Sequence, residues 1–402
     1  MASGVSFLCV KTQYFPQLIA VAATASLALS AASPALAQSE EGGASSELIG
    51  EAVVGSSQNP TSSGSSLDAA LSSLSLLGSS EIPIGGPLLS SNPEYPLATT
   101  PIDGPARIVR VERTPGERLE RWTIASPSMQ REVSVQIYRG ADETAPAPLL
   151  YLLDGIDAPY NSGWLGPGKV QEVFEDENVT LVMPTQAAGS WYSDWEQEDP
   201  ALGLNKWETF IIDELDPLLK DDAELNFNGE RGIGGLSMGA SGAVHIANTN
   251  PELFDAVFGI SGCYSPTDAM GRQIVNIVTG SRGGDVENMW GPFGSEEWQR
   301  HDVVDNPDGL LGMDVYLSAA NGEITEADRA FYGDDVVNMT AGTVLERGVL
   351  SCTQDLDAAL QEAGKTDHEV NYKGPGVHAW SNFREELAPA WTKIKDSLFD
   401  GV

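Results

Sequence analysis

Gly235-Leu236-Ser237-Met238-Gly239 is the stretch of this chain best suited to chemistry. In the pattern Gly-x-Ser-x-Gly, a strand ends in a sharp turn, a helix starts at once, and the serine hydroxyl is lifted clear of both. Small residues on either side let strand and helix pass closely. The flanks fit, because Arg231-Gly232-Ile233-Gly234 can end a strand and the residues from Ala240 to Ala247 read as a helix. The chemistry is nucleophilic attack by Ser237 on an ester or related acyl group, through a covalent acyl-serine.

A serine hydroxyl attacks well only when a base accepts its proton and an acid orients that base. Four histidines are available. His245 lies on the helix that leaves the turn, His301 in a Trp-rich polar stretch, and His368 at the start of a strand. His378 lies in Gly374-Pro375-Gly376-Val377-His378-Ala379-Trp380, a loop between the last strand and the last helix, which suits a base. For the acid, the loop after the strand at 314–319 points to Glu323 or Glu326, and Glu346 competes; spacing alone does not choose. Negative charge developing on the acyl oxygen needs two backbone N–H donors. Met238 follows the nucleophile, and Ile156 follows the apolar run and Asp-Gly turn of Tyr151-Leu152-Leu153-Asp154-Gly155, so these two are the candidates.

The elements that must position these residues alternate. Strands are expected at 117–124, 131–138, 149–153, 180–183, 256–261, 314–319 and 368–372. Helices are expected at 169–175, 207–219, 240–248, 345–363 and 383–398. Such alternation implies a mostly parallel sheet covered on both faces. With the Gly-x-Ser-x-Gly turn, it gives the α/β-hydrolase fold.

The N-terminus bears on compartment. Residues 1–37 carry one charged side chain, Lys11, then an apolar run and Ala35-Leu36-Ala37, the layout of a secretory signal peptide cleaved before Gln38. Residues 38–106 are rich in Ser, Gly and Pro and read as a flexible extension, with one short helix near 67–77. Residues 107–402 are then a single catalytic domain. Cleavage removes Cys9 and leaves Cys263 and Cys352, which in an exported protein are expected to form a disulfide. A net charge of -36 over 402 residues argues against nucleic acid or an anionic membrane surface as partner.

Several collinear blocks resemble the secreted mycolyltransferases of the antigen 85 type. They are Ser126-Pro127-Ser128-Met129, YLLDGIDA from Tyr151, VMPTQAAGSWYSDW ending at Trp195, KWETFIIDEL from Lys206, GLSMG from Gly235, MWGPFGSEEWQRHD from Met289 and VHAW from Val377. The resemblance spans about residues 110–398. It implies Ser237 as nucleophile, His378 as base and Glu346, within Leu345-Glu346, as acid, with the N–H groups of Ile156 and Met238 as oxyanion donors. It also implies that Asp154 binds sugar and that Trp380 walls the sugar subsite. The chain departs from the family at Asp157, where relatives carry arginine, and at Gly166-Pro167, where they carry asparagine.

The resemblance implies acyl transfer from trehalose monomycolate through a mycolyl-serine to a hydroxyl acceptor: another trehalose monomycolate, arabinogalactan or a protein, in building the cell envelope. It requires no metal and no organic cofactor. Two other readings stay open: a secreted carboxylesterase that hydrolyses lipid esters, and a non-catalytic carbohydrate- or matrix-binding relative.

Overall fold

The structure is a computed structural model and describes residues 95–399. The leader expected at 1–37 and most of the extension expected at 38–106 lie outside the described residues. The end of that extension is described, and it packs on the domain. Tyr95 lies against the core, and the Thr100 N–H donates to the Gln130 carbonyl at 2.6 Å.

Nine strands form one sheet: β1 (Arg107–Arg113), β2 (Leu119–Ser126), β3 (Arg131–Tyr138), β4 (Ala147–Leu153), β5 (Thr180–Pro184), β6 (Phe227–Leu236), β7 (Ala256–Ile260), β8 (Asp314–Ala319) and β9 (Glu369–Tyr372). Their order is β1-β2-β3-β5-β4-β6-β7-β8-β9. The pairs from β1 to β5 by way of β2 and β3 are antiparallel, and those from β5 through β4 to β9 are parallel. This mixed, mostly parallel sheet is the expected α/β architecture. β4, β5 and β7 are buried at every residue, as strands sandwiched between two helical layers must be. The two edge strands differ: β1 (RIVRVER) is almost wholly exposed, and β9 has no fully buried residue.

The helices that matter here are α1 (Val170–Val173), α2 (residues 207–221, with a π-helical stretch at Phe210–Leu215), α3 (Met238–Thr249), α4 (Ala269–Gly280), α5 (Val286–Trp290), α6 (Glu296–Arg300), α7 (Glu326–Tyr332), α8 (Val336–Glu362) and α9 (Trp380–Ile394). Apolar side chains form a core on each face of the sheet. One is built on Trp122, Trp195, Trp207 and Trp298, the other on Trp164, Phe258, Leu387 and Trp391. Among the described residues, no helix is long and apolar enough to cross a membrane.

The structure joins the sulfurs of Cys263, just after β7, and Cys352 in α8, with Cα atoms 4.8 Å apart. A bridge across 89 positions would stabilise the fold by up to about 4–5 kcal/mol on a chain-entropy model. In a chain beginning at Gln38, thiol titration in denaturant without reductant is expected to find no reactive thiol. Two reactive thiols would exclude the bridge.

Candidate active site

The turn at the end of β6 is closed by glycines that nothing else can replace. A Cβ at position 235 would stand 2.3 Å from the Gly239 carbonyl carbon. One at position 239 would stand 2.4 Å from the carbonyl oxygens of both Leu153 and Asp154. Helix α3 therefore lies directly on the end of β4, and Ser237 between them takes φ +54° and ψ -126°. A non-glycine residue there costs about 1–3 kcal/mol, held in place by the surrounding sheet. Its N–H donates to Ile260 O in the neighbouring strand β7 at 2.9 Å.

Three side chains from separate elements meet at this turn. Ser237 Oγ is 2.7 Å from His378 Nε2, and His378 Nδ1 is 2.8 Å from Glu346 Oε2. Glu346 is fully buried in α8. Its Oε1 accepts from Ser261 Oγ at 2.7 Å, Ala320 N–H at 2.8 Å and Asn382 Nδ2 at 3.1 Å. The loop that carries His378 is pinned on both sides: its N–H donates to Gly342 O, and its carbonyl accepts from Tyr332. With the carboxylate facing Nδ1, that nitrogen carries the proton and Nε2 is left to accept from the serine hydroxyl.

Glu323 and Glu326, the alternatives for the acid, are both exposed, and neither side chain is bonded to His378. Glu323 belongs to a turn with Asn321, and Glu326 opens α7. The other histidines serve elsewhere. His368 bonds Asp357 at 2.7 Å, while His245 and His301 stack on each other, their ring centroids 4.0 Å apart. Burial, followed by the neighbouring His245 charge, pushes His301 well below the ordinary imidazole value. Ser261 and Asn382, which hold the acid, carry no signal in the sequence, since they touch it only once the sheet is assembled.

Met238 is the first residue of α3, so its N–H has no intrahelical acceptor. The Gly155–Ile156 turn runs beside the serine: a Cβ on Gly155 would lie 3.4 Å from Ser237 Cβ. The structure thus places Met238 directly after the serine at the start of α3, and Gly155, the residue before Ile156, beside it.

Asp154 and Trp380 also come together at this end of the sheet. Asp154 Oδ1 accepts from the Gly163 N–H at 2.9 Å, and a Cβ at Gly163 would collide with the Trp380 ring at 2.4 Å. Trp380 packs edge-on against Trp164, centroids 5.5 Å apart. Asp154 Oδ2 is buried without a partner, and burial pushes the carboxyl up to about 7. The folded state therefore keeps a proton that the unfolded chain releases near 4, so stability conferred by this group falls as pH rises from about 4 to 7. Asp154→Asn is expected to gain stability on wild type across that window, read from urea midpoints at pH 4, 5.5 and 7. A constant difference would contradict this assignment.

Asp157 is paired with Arg282, which follows α4. Burial raises the Asp157 carboxyl and the guanidinium lowers it. Position 157 therefore has a guanidinium beside it, supplied from 125 positions along the chain.

Comparison with known proteins bears on the family and the fold. A family model described as "Putative esterase" matches residues 126–394. Antigen 85A of Mycobacterium leprae, a diacylglycerol acyltransferase/mycolyltransferase, is 30% identical over 282 residues, covering 68% of this chain and 81% of that protein. Antigen 85B of Mycobacterium intracellulare is 29% identical over 307 residues, covering 74% and 88%. Among solved structures, Mycobacterium tuberculosis MPT51 superposes with TM-score 0.57 at 22% identity, covering 68% of this chain and 96% of that one. An S-formylglutathione hydrolase from Agrobacterium tumefaciens superposes with TM-score 0.52 at 16% identity, covering 72% and 99%. These two structures share the fold. The chain belongs to this esterase family and, within it, to the antigen 85 type of mycolyltransferases.

Proposed function

We propose that the chain is an exported acyltransferase that moves a mycolyl group from trehalose monomycolate to an acceptor hydroxyl, with Ser237, His378 and Glu346 as its catalytic triad. The observation that carries this reading is the unbroken hydrogen-bonded chain from Ser237 Oγ through both nitrogens of His378 to Glu346. His378 Nε2 takes the hydroxyl proton as Oγ bonds the acyl carbon, and Glu346 steadies the resulting imidazolium. The oxyanion lies against the N–H groups of Ile156 and Met238. The carbon–oxygen bond to trehalose breaks, its oxygen takes the proton from Nε2, and a mycolyl-serine remains. An acceptor hydroxyl then repeats the sequence in reverse. Asp154 and Trp380 bind the sugar, Asp154 through its unpartnered Oδ2. Catalysis is assigned to these side chains and backbone donors, with no metal or organic cofactor taking part.

Residues 1–37 direct export, and the mature chain acts at the cell envelope, joined internally by Cys263–Cys352. The acceptor is trehalose monomycolate, arabinogalactan or a protein hydroxyl. The pairing of Asp157 with Arg282 alters the sugar subsite from the pattern of the relatives. Incubation with trehalose monomycolate labelled in its acyl chain separates transfer from hydrolysis. Labelled diester or acylated acceptor is expected. Free acid as the sole labelled product would make the protein a carboxylesterase.

A further inference from the structure

A second cluster of functional side chains lies two turns along α3 from the nucleophile. Glu208 in α2, His245 in α3 and His301 at the end of α6 each direct one ligand-type atom to a common region, and these atoms all lie within 4.8 Å of one another. His245 Nε2 is 3.7 Å from Glu208 Oε2. The two histidine side chains are almost fully buried, at 4% exposure each.

Their hydrogen bonding is incomplete in an informative way. His245 Nδ1, His245 Nε2 and His301 Nε2 are all buried with no partner. Each such group costs about 1–3 kcal/mol relative to a satisfied one, so packing alone does not explain two imidazoles here. His301 Nδ1 does have a partner, Glu297 O at 2.8 Å. A carbonyl can only accept, so Nδ1 carries the proton and the Nε2 lone pair is free. This is the outer hydrogen bond that typically fixes a metal-ligating histidine. Trp290 stacks on His301, centroids 4.2 Å apart, and holds its plane.

We propose that Glu208, His245 and His301 form a binding site for a divalent transition-metal ion of the zinc type, separate from the acyl-transfer chemistry. Two imidazole nitrogens and one carboxylate oxygen select zinc, cobalt or nickel over calcium or magnesium. The site is three-ligand, with the fourth position facing a small cleft lined by both histidines, Trp191, Trp290 and Tyr264, which is the entry path. The two rings stand nearly parallel, 19° apart, so one must turn to aim at the same ion. That ring is His245, whose nitrogens make no hydrogen bond and meet only Glu208, at 3.7 Å. Arg300 holds both oxygens of Glu208, at 2.9 and 2.6 Å, yet each carboxylate oxygen keeps a second lone pair for the ion. A bound ion ties α2, α3 and the 286–301 segment together. Trp191 links this assembly to the nucleophile turn: its ring lies tilted against Trp290, centroids 5.9 Å apart, and its backbone N–H donates to Met238 Sδ at 3.3 Å.

Cobalt(II) is the probe of choice, because imidazole coordination gives it visible d–d bands that an all-oxygen shell does not match in position or intensity. The full exported chain is stripped with chelator and titrated with cobalt in excess calcium, which occupies the weak carboxylate sites of a chain with 58 acidic residues. One equivalent with four-coordinate bands is expected, displaced by zinc and lost in the double variant His245→Gln/His301→Gln. The absence of such bands in wild type, or their persistence in the folded double variant, would overturn the proposal. Should the double variant not fold, X-ray absorption of the zinc-loaded wild type decides: two imidazole ligands support the site, and a shell of oxygens alone refutes it.

Discussion

Ser237→Ala is expected to lower acyl transfer by on the order of 10⁵-fold while leaving the fold intact. The alanine loses only the hydroxyl, and no structural hydrogen bond depends on it other than that to His378. The backbone of position 237, which closes the turn and donates to Ile260 O, is unchanged. Loss of an oxygen from a strained residue held by its neighbours alters stability by well under the cost of a core substitution. Product formation from labelled trehalose monomycolate, together with the urea midpoint, checks both halves. Retained activity would remove Ser237 from the mechanism, and unfolding would assign it to structure. Equal behaviour of variant and wild type is also what the non-catalytic, carbohydrate-binding reading requires.

Glu346→Gln is expected to cost about 10³–10⁴-fold, and the hydrogen bonding fixes the reason. Oε1 receives three donors, from Ser261, Ala320 and Asn382. A glutamine must therefore keep its carbonyl oxygen there and turn its NH₂ toward His378 Nδ1. That nitrogen then has to accept, which moves the ring proton to Nε2, the atom facing Ser237. Such an imidazole cannot take the serine proton. The rate of fluorophosphonate labelling at Ser237 measures this without a lipid substrate. Labelling at the wild-type rate would show that Glu346 orients nothing.

Much of the site was legible because its signals are local. The Gly-x-Ser-x-Gly turn carries its own sequence pattern, Gly235 being pressed by Gly239 four residues on, and the loop of His378 follows the last strand directly. The acid was not legible locally. Glu346 lies inside the 27-residue helix α8, and it reaches His378 only because the sheet sets α8 beside β7 and β8. Fold logic looked instead just after β8, where Glu323 and Glu326 are exposed. The same helix was expected to start at 345 but starts at Val336, because the β-branched and glycine-containing stretch before Leu345 has weak helix propensity, and burial of Met339, Ala341 and Val344 outweighs it. β1 carries no strand signal because, of its residues RIVRVER, only Ile108 packs against the core and the other apolar side chains are exposed. The pairing of Asp157 with Arg282 spans 125 positions and leaves no mark in either local sequence.

Intact-mass spectrometry of the exported chain after brief exposure to trehalose monomycolate tests the central claim most directly. The expected result is a population heavier by one mycolyl group less a hydrogen, mapped to the peptide containing Ser237, discharged by added acceptor and absent from Ser237→Ala. Turnover with no adduct under rapid quench, or with the adduct on another residue, would contradict it.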